Sequence, residues 1–375
     1  MKRLIPALIA LSLLLSGCSP LDSSRRELEQ LLLIETLGID APSGTVFLSA
    51  GGTTDDESAP VTLSARGATV AQALDSLHGS AYEEELFFRH TQRIVIGEKA
   101  AAKGIGGYLS YICQSPDVRL GVPVYIIEGS TANELIFFVG ADGSGVSSVL
   151  EAIETENTRR SMPVFTAADI ARDNARRSSA LACAIRLHPG ESGDAPTAVF
   201  SGYGILKGGK LRGYIGQELV AGLGLVLGSV PIIQLTVKDM YGADVTVELS
   251  SGSSTFSPEY DGSELTALNI ACEVSAAVSE ISGSGSFSID GYGLFLEKQL
   301  ESELLRQARE VVQLSQELNC DFAGLSERTE LAAPLKYRRI EGGFSSAFPG
   351  LTVGLSVSVS ISHSNDIGDE RNEKG

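Results

Sequence analysis

The last third of the chain contains the clearest alternation of apolar and polar positions. Between residues 351 and 362 every second residue is Leu, Val or Ile, and the residues between them are Thr, Gly or Ser. This period of two predicts a β-strand with one buried face. Residues 294–318 instead show an apolar stripe with helical spacing, made of Leu296, Leu300, Leu304, Ala308, Val311, Ser315 and Leu318. We expect this long helix to pack on a sheet, with the final strand as its partner.

The first half of the chain alternates between the two kinds of pattern. Short apolar runs predict strands at residues 31–40, 46–48, 93–96, 122–128 and 181–187. Helical spacing predicts helices at residues 70–77, 98–112, 132–138, 146–156 and 167–179, the first of them capped by Thr69. Strands that alternate with helices predict an α/β fold built from layers. We expect successive small domains, each with a mixed sheet and packed helices.

A turn-rich segment at residues 188–196 predicts the main boundary between two domains. The predicted domains therefore comprise residues 18–195 and residues 196–364. Just beyond the boundary, the turn Lys207-Gly208-Gly209-Lys210 predicts a hairpin. Residues 365–375 are polar and charged, which predicts a disordered tail.

The N-terminal segment has the order of a bacterial export signal. Lys2 and Arg3 precede an apolar run at residues 4–15, whose roughly twelve residues are too few to span a bilayer as a helix. The run ends in Leu15-Ser16-Gly17-Cys18, which resembles the lipobox of bacterial lipoproteins. We therefore expect residues 1–17 to be a cleaved signal peptide and Cys18 to carry a diacylglyceryl anchor. The alternative is a secreted protein with an incidental cysteine near its cleavage site.

The net charge of the chain limits which partners it can bind. Loss of Lys2 and Arg3 with the signal takes the formal net charge from −18 to −20. Such an acidic body repels nucleic acid and anionic headgroups, so we expect no nucleic-acid partner and attachment to the membrane through lipid or protein. The chain has a single clear basic cluster, formed by Arg159, Arg160, Arg172, Arg176 and Arg177. A solvated helix face is favoured over a partner surface for these arginines.

The sequence contains few motifs for catalysis or for metal and cofactor binding. The sequence contains no nucleophile elbow, no zinc-protease motif and no phosphate loop, and its four histidines are widely separated. We therefore predict no catalytic residues, no metal site and no cofactor. Four further cysteines, Cys113, Cys183, Cys272 and Cys320, have no zinc-ligand spacing and allow three disulfide pairings. The sequence is compatible with buried free thiols and with disulfides.

Four sequence blocks, together with the lipobox, resemble the Ger(x)C spore-germination lipoproteins. The blocks are Arg26-Glu27-Leu28 with Leu37-Gly38-Ile39-Asp40, Phe88–Gln92 with Ile94–Glu98, Gly204–Lys207 with Lys210–Gly213, and Asn319–Leu325. Their order and spacing, more than any one block, carry the resemblance over nearly the whole mature chain. The chain departs from the family in having no tryptophan, which commonly follows the lipidated cysteine in its members.

The resemblance implies a non-catalytic subunit of a nutrient germinant receptor. Such a subunit would lie on the outer face of the spore inner membrane, beside the A and B membrane subunits of the receptor. The residues that the resemblance singles out for fold or contact are Arg26, Gly38, Asp40, Gln92, Gly97, Gly213, Asp321 and Gly324. For the glycines a requirement of backbone geometry is favoured, and for Asp40 and Asp321 a capping or turn role. The alternative function is that of a solute-binding or other surface lipoprotein.

Overall fold

A computed structural model describes residues 31–53, 61–81, 85–116, 118–138, 145–189, 196–283 and 290–362. The predicted signal peptide, Cys18, Arg26 and the predicted tail from residue 365 lie outside these residues. Within them, two sheets and ten α-helices form a mixed α/β architecture, so the predicted fold class is confirmed. No helix of the described part is long and apolar enough to cross a bilayer.

The first sheet has nine strands in the order β3-β2-β1-β5-β6-β7-β8-β9, with β4 beside β1. The strands are β1 Leu31–Asp40, β2 Val46–Thr53, β3 Val61–Gly67, β4 Glu85–Phe87, β5 Arg93–Gly97, β6 Val124–Glu128, β7 Ser179–His188, β8 Thr197–Lys207 and β9 Lys210–Gly216. Strands β1, β5, β6 and β7 are parallel to one another, whereas β2 pairs antiparallel with β1 and β8 pairs antiparallel with β7. The parallel strands read as near-continuous apolar runs because helices cover both of their faces.

Six helices form the two outer layers of this sheet. They are α1 Val70–Ser80, α2 Glu98–Lys103, α3 Gly106–Gln114, α4 Ala132–Phe138, α5 Gly145–Arg159 and α6 Ala167–Arg177. Helices α1, α2, α3 and α6 pack on one face, whereas α4 and α5 pack on the other. Thr69 caps α1 by accepting the N–H of Gln72, as predicted, and Thr166 and Asp169 form a reciprocal capping box at α6.

The second sheet has four strands in the order β10-β11-β12-β13. They are β10 Gln234–Lys238, β11 Asp244–Asp261, β12 Glu264–Ile281 and β13 Thr352–Ser362. Helices α7 Val220–Leu227, α8 Tyr292–Glu317, α9 Leu325–Ala332 and α10 Pro334–Ala347 accompany it. The apolar core on the α4–α5 side of the first sheet continues into the core of this second sheet.

The predicted pairing of the long helix with the final strand is confirmed. The stripe of α8 is buried from Leu296 to Ser315. Glu297 and Glu301 of α8 accept the backbone N–H groups of Ile361 and Val359 in β13, at 3.0 and 3.2 Å. These carboxylates satisfy strand donors that point away from β12, so the helix covers this part of the sheet edge.

Strands β7 and β8, which flank the predicted boundary near residue 195, pair antiparallel in the first sheet. The hairpin predicted at residues 207–210 joins β8 to β9 in the same sheet. The division of the chain at residue 195 stays a prediction. Helices α9 and α10 were not predicted from the sequence.

Candidate functional site

Three of the singled-out residues, Gly38, Asp40 and Gly97, meet at the start of α4. The Asp40 carboxylate accepts the backbone N–H groups of Ala132 and Asn133 at 3.1 and 2.9 Å. A Cβ atom on Gly97 would lie 1.8 Å from Asp40 Oδ1, and a Cβ on Gly38 would lie 2.7 Å from Ile136 Cδ1. The two glycines therefore leave the space in which Asp40 and α4 approach the parallel strands.

The electrostatics of Asp40 match a capping role. The residue is only 5% exposed, and burial raises the pKa of its carboxyl, while hydrogen bonds from the Asn133 and Ala132 N–H groups oppose that rise. Its acceptor atoms satisfy helix donors that have no partner within the helix. The Asp40 carboxylate thus caps a helix, which is the role that the sequence favoured.

A second carboxylate lies at the same end of the parallel strands. Glu98 accepts the hydroxyl of Tyr214 at 3.0 Å and the backbone N–H of Gly129 at 3.1 Å. Burial raises the pKa of the Tyr214 hydroxyl, and the charge of Glu98 and its hydrogen bond raise this pKa further. The carboxyl ends of parallel strands are common ligand sites in α/β proteins. In the described residues, however, no group of three His, Cys, Asp or Glu side chains is arranged to hold a metal ion.

Two further singled-out residues, Asp321 and Gly324, lie at the start of α9. Asp321 accepts the backbone N–H groups of Leu325 and Ser326 at 2.7 and 2.9 Å. Gly324 has a φ of +66°, which favours glycine, and a Cβ there would lie 3.3 Å from the Arg177 guanidinium. Asp321 therefore caps a helix, and Gly324 permits the turn into it.

Arg177 joins α9 to α6 on the first sheet. Its guanidinium lies 2.7 Å from Asp173 of α6 and 3.1 Å from Glu327 of α9, and its side chain is 12% exposed. Arg176 also pairs with Glu327, but its side chain is 61% exposed. The basic cluster is therefore solvated at most positions, whereas Arg177 is half-buried between Asp173 and Glu327. The prediction of a solvated helix face is wrong for Arg177 because α9 covers its side chain.

The remaining two singled-out residues lie elsewhere. Gln92 donates its backbone N–H to the Glu35 carbonyl and accepts a hydrogen bond from Arg93 through its side-chain oxygen, at 2.8 and 2.9 Å. A Cβ on Gly213 would have only Leu318 Cδ1 near it, at 4.0 Å. The structure thus brings the singled-out residues into two capping clusters and two isolated positions. It does not assemble them into one pocket.

Sequence reasoning missed a cleft of about 720 Å³ between the end of α5 and strands β10 and β11. Its lining includes Arg160, Phe200, Glu218, Ile233 and Glu248. Arg160 already pairs with Glu156 of its own helix at 2.6 Å. The lining residues come from segments far apart in the chain, so no local pattern marks this cleft in the sequence.

The four described cysteines, Cys113, Cys183, Cys272 and Cys320, are free thiols. Cys113 is half-buried, while the other three are buried. Burial raises the pKa of the Cys183 thiol to about 12, so this group stays neutral and is a poor nucleophile at physiological pH.

This burial predicts a clear pattern of thiol reactivity. In the folded protein we expect a thiol-specific reagent to label Cys113 and to reach Cys183, Cys272 and Cys320 only after unfolding in urea, because the reagent needs an accessible thiolate. Labelling followed by peptide mass spectrometry measures the pattern. Cys113→Ala should remove the native-state labelling of these four positions. Rapid labelling of Cys183 in the folded state would contradict the described core.

The fold and these clusters define a layered α/β protein in which Asp40 and Asp321 cap helices and Gly38, Gly97 and Gly324 allow the close approach around them. Residues 24–186 match the family described as "Spore germination protein N-terminal domain", and residues 201–365 match "Spore germination B3/ GerAC like, C-terminal". The chain therefore belongs to the GerAC-like family of spore germination proteins, and the resemblance to the Ger(x)C proteins is confirmed.

A solved structure shares this fold. The chain is similar to "Crystal Structure of the GerBC protein", with a TM-score of 0.59 and 17% sequence identity, over 89% of this chain and 99% of that chain. At this identity the likeness concerns the fold alone. Comparison with curated protein sequences gives no match for this chain. Family membership supports a role in spore germination.

Proposed function

We propose that this protein is a lipid-anchored, non-catalytic subunit of a nutrient germinant receptor, required for receptor assembly or signalling. In this proposal it acts beside the A and B membrane subunits on the outer face of the spore inner membrane. The observation that carries the proposal is the match to both germination domains, in order, along the chain behind Cys18.

The lipobox-like segment supports the mode of attachment. A diacylglyceryl group at Cys18 would supply two acyl chains, which hold a protein on a bilayer far more firmly than one chain does. Confinement to the membrane surface raises the effective concentration of the subunit for membrane partners. An acidic body with a net charge near −20 needs such an anchor, since anionic headgroups repel it.

The geometry of the described residues supports a non-catalytic role. The carboxylates of Asp40 and Asp321 each accept two backbone N–H groups at a helix start. Burial raises the pKa of Cys183, Cys272 and Cys320, which removes thiolates from the described core. These groups are engaged in the fold and are poorly suited to proton transfer or nucleophilic attack.

Deletion of the gene in the spore-forming host tests this function. We expect deletion to abolish germination in response to the nutrient of this receptor and to leave germination by a stimulus that bypasses receptors unchanged. Complementation with Cys18→Ala should fail to restore the nutrient response and should release the protein from the membrane fraction. Cys113→Ala, which changes a half-buried thiol, is the matched control and should restore the response.

Two results would contradict the proposal. One is a normal nutrient response in the deletion strain when no paralogous receptor is present. The other is an N-terminal peptide from the native protein that mass spectrometry finds without fatty acyl groups. Turnover of a substrate by the purified protein would separately refute the non-catalytic role.

The cleft beside α5 favours a second candidate, a solute-binding surface lipoprotein. Its volume of about 720 Å³ lies in the range of small-molecule sites, and its lining combines apolar Phe200 and Ile233 with charged Arg160 and Glu218. A ligand that binds the folded state raises the melting temperature. Thermal-shift measurements with amino acids and sugars therefore test this candidate. An increase in melting temperature that is absent in Phe200→Ala would favour the solute-binding lipoprotein over a receptor subunit that does not bind the nutrient itself.

A further inference from the structure

The corner between α9 and α10 exposes an unusual amount of apolar surface. Leu331 and Leu335 are 78% and 77% exposed, more than any other large apolar side chain of the described residues. Between them, Ala332 and Pro334 are also exposed, and Ala333 is half-buried. We call residues 331–335 the apolar corner. Contiguous exposed apolar side chains are typical of interaction surfaces.

The body of the protein holds the apolar corner in place from both sides. Arg328 of α9 donates to the Val226 carbonyl at 2.7 Å and lies over the Phe256 ring, 4.5 Å from its centre. Lys336 of α10 lies over the Tyr260 ring at 4.6 Å. Tyr337 is buried one residue further along. The leucines are therefore presented outward by a docked helix pair.

Cations follow the corner directly. Arg338 and Arg339 lie three and four residues after Leu335, on the same exposed side of α10, and Lys336 precedes them. Acidic Glu330 and Glu341 flank the group, so charge alone would not draw this surface to an anionic one. The combination instead fits shallow apolar insertion, with long cationic side chains reaching back to phosphate groups.

The start of α9, which leads into the apolar corner, lies at the end of the first sheet where the chain enters. Strands β1 and β7 belong to one parallel set, so the Leu31 end of β1 and the Ser179 end of β7 point the same way. Arg177, two residues before Ser179, pairs with Glu327 of α9. Cys18 lies thirteen residues before Leu31, a reach of at most about 45 Å when extended.

We propose that the apolar corner is a membrane-docking surface that inserts Leu331 and Leu335 into the headgroup region of the bilayer that carries the lipid anchor. The partner is the phospholipid surface itself, whose phosphate groups the exposed Arg338 and Arg339 side chains reach. This inference rests on the proposed anchoring at Cys18. Docking at two points would fix the orientation of the body on the membrane, whereas the anchor alone leaves it free to rotate.

The absence of tryptophan from the chain allows a sharp test. The full-length lipidated protein, carrying Leu335→Trp as its single tryptophan, is reconstituted in vesicles of phosphatidylcholine and phosphatidylglycerol. We expect its emission to shift to the blue, and brominated acyl chains to quench about half of it or more, because the headgroup–acyl boundary is within reach of the bromines. Leu331→Trp should behave in the same way.

Leu294→Trp is the matched control. Leu294 is 61% exposed and lies near the start of α8, about 35 Å along that helix from its other end, which leads to α9. Its tryptophan should stay unquenched. Charge reversal of Arg338 and Arg339 to Glu in the Leu335→Trp protein should reduce quenching in these vesicles.

Vesicle flotation separates failure of this inference from failure of the anchor. Protein that does not float with vesicles refutes the anchor on which the inference rests. Floating protein in which Leu335→Trp is unquenched, or quenched no more than Leu294→Trp, overturns membrane docking and assigns the corner to a protein contact instead.

Discussion

Gly97→Ala should lower the free energy of unfolding by about 2–4 kcal/mol, since overpacking in a core costs about 1–3 kcal/mol and loss of a helix cap about 1 kcal/mol. The added Cβ would lie 1.8 Å from Asp40 Oδ1, so the carboxylate must leave the N–H groups of Ala132 and Asn133. Gly97 has φ −62° and ψ 145°, which alanine adopts readily, so the loss comes from the contact and not from backbone strain. Urea unfolding followed by circular dichroism measures it.

Gly213→Ala is the control for this substitution. Its Cβ would meet only Leu318 Cδ1, at 4.0 Å, so we expect a change within about 0.5 kcal/mol, as for an ordinary tolerated substitution. A double-mutant cycle with Asp40→Ala identifies the cause. If the clash with Asp40 dominates, Gly97→Ala should cost much less in the Asp40→Ala background. Equal costs for the two glycine variants, or strict additivity in the cycle, would show that the Asp40 contact is not responsible.

The strength of the local pattern decided which elements could be predicted. The alternation at residues 351–362 and the stripe of α8 identified β13, α8 and their contact, because each pattern extends over many residues and has one unambiguous period. Helix α10 was missed because only Tyr337 and Phe344 are buried in it, and Gly342 and Gly343 lower its helix propensity. Its stability comes from packing on distant residues, which no local window contains.

Local sequence patterns also do not predict the candidate clusters. The sequence favoured backbone geometry for Gly38 and Gly97 and a capping role for Asp40. In the structure Asp40 lies against Gly97 and caps α4, and Gly38 lies against Ile136 of the same helix. Their meeting depends on β1 and β5 being parallel neighbours, although these strands are separated by three strands and an α-helix in the chain. Sequence periodicity does not report strand order. The membership of the cluster therefore could not be predicted from the sequence alone.

The half-buried position of Arg177 leads to the second large expected effect. We expect Arg177→Ala to lower the free energy of unfolding by about 3 kcal/mol, the low end for breaking a buried ion pair, because buried Asp173 loses its less exposed cationic partner. Asp173, whose side chain is 6% exposed, would keep only the more exposed Arg172, and Glu327 would lose one of its two contacts to α6. Urea unfolding measures the total loss, and hydrogen exchange of the α9 amides measures its local part.

Arg172→Ala is the matched control in the same helix. Arg172 also contacts Asp173, but its side chain is 56% exposed, and exposed pairs contribute at most about 1 kcal/mol. Arg177→Lys should recover only part of the stability, because an ammonium cannot reach Asp173 and Glu327 with the fork of a guanidinium. If Arg177→Ala costs no more than Arg172→Ala, and the α9 amides exchange at the wild-type rate, then apolar packing rather than this ion-pair network holds α9 against the first sheet.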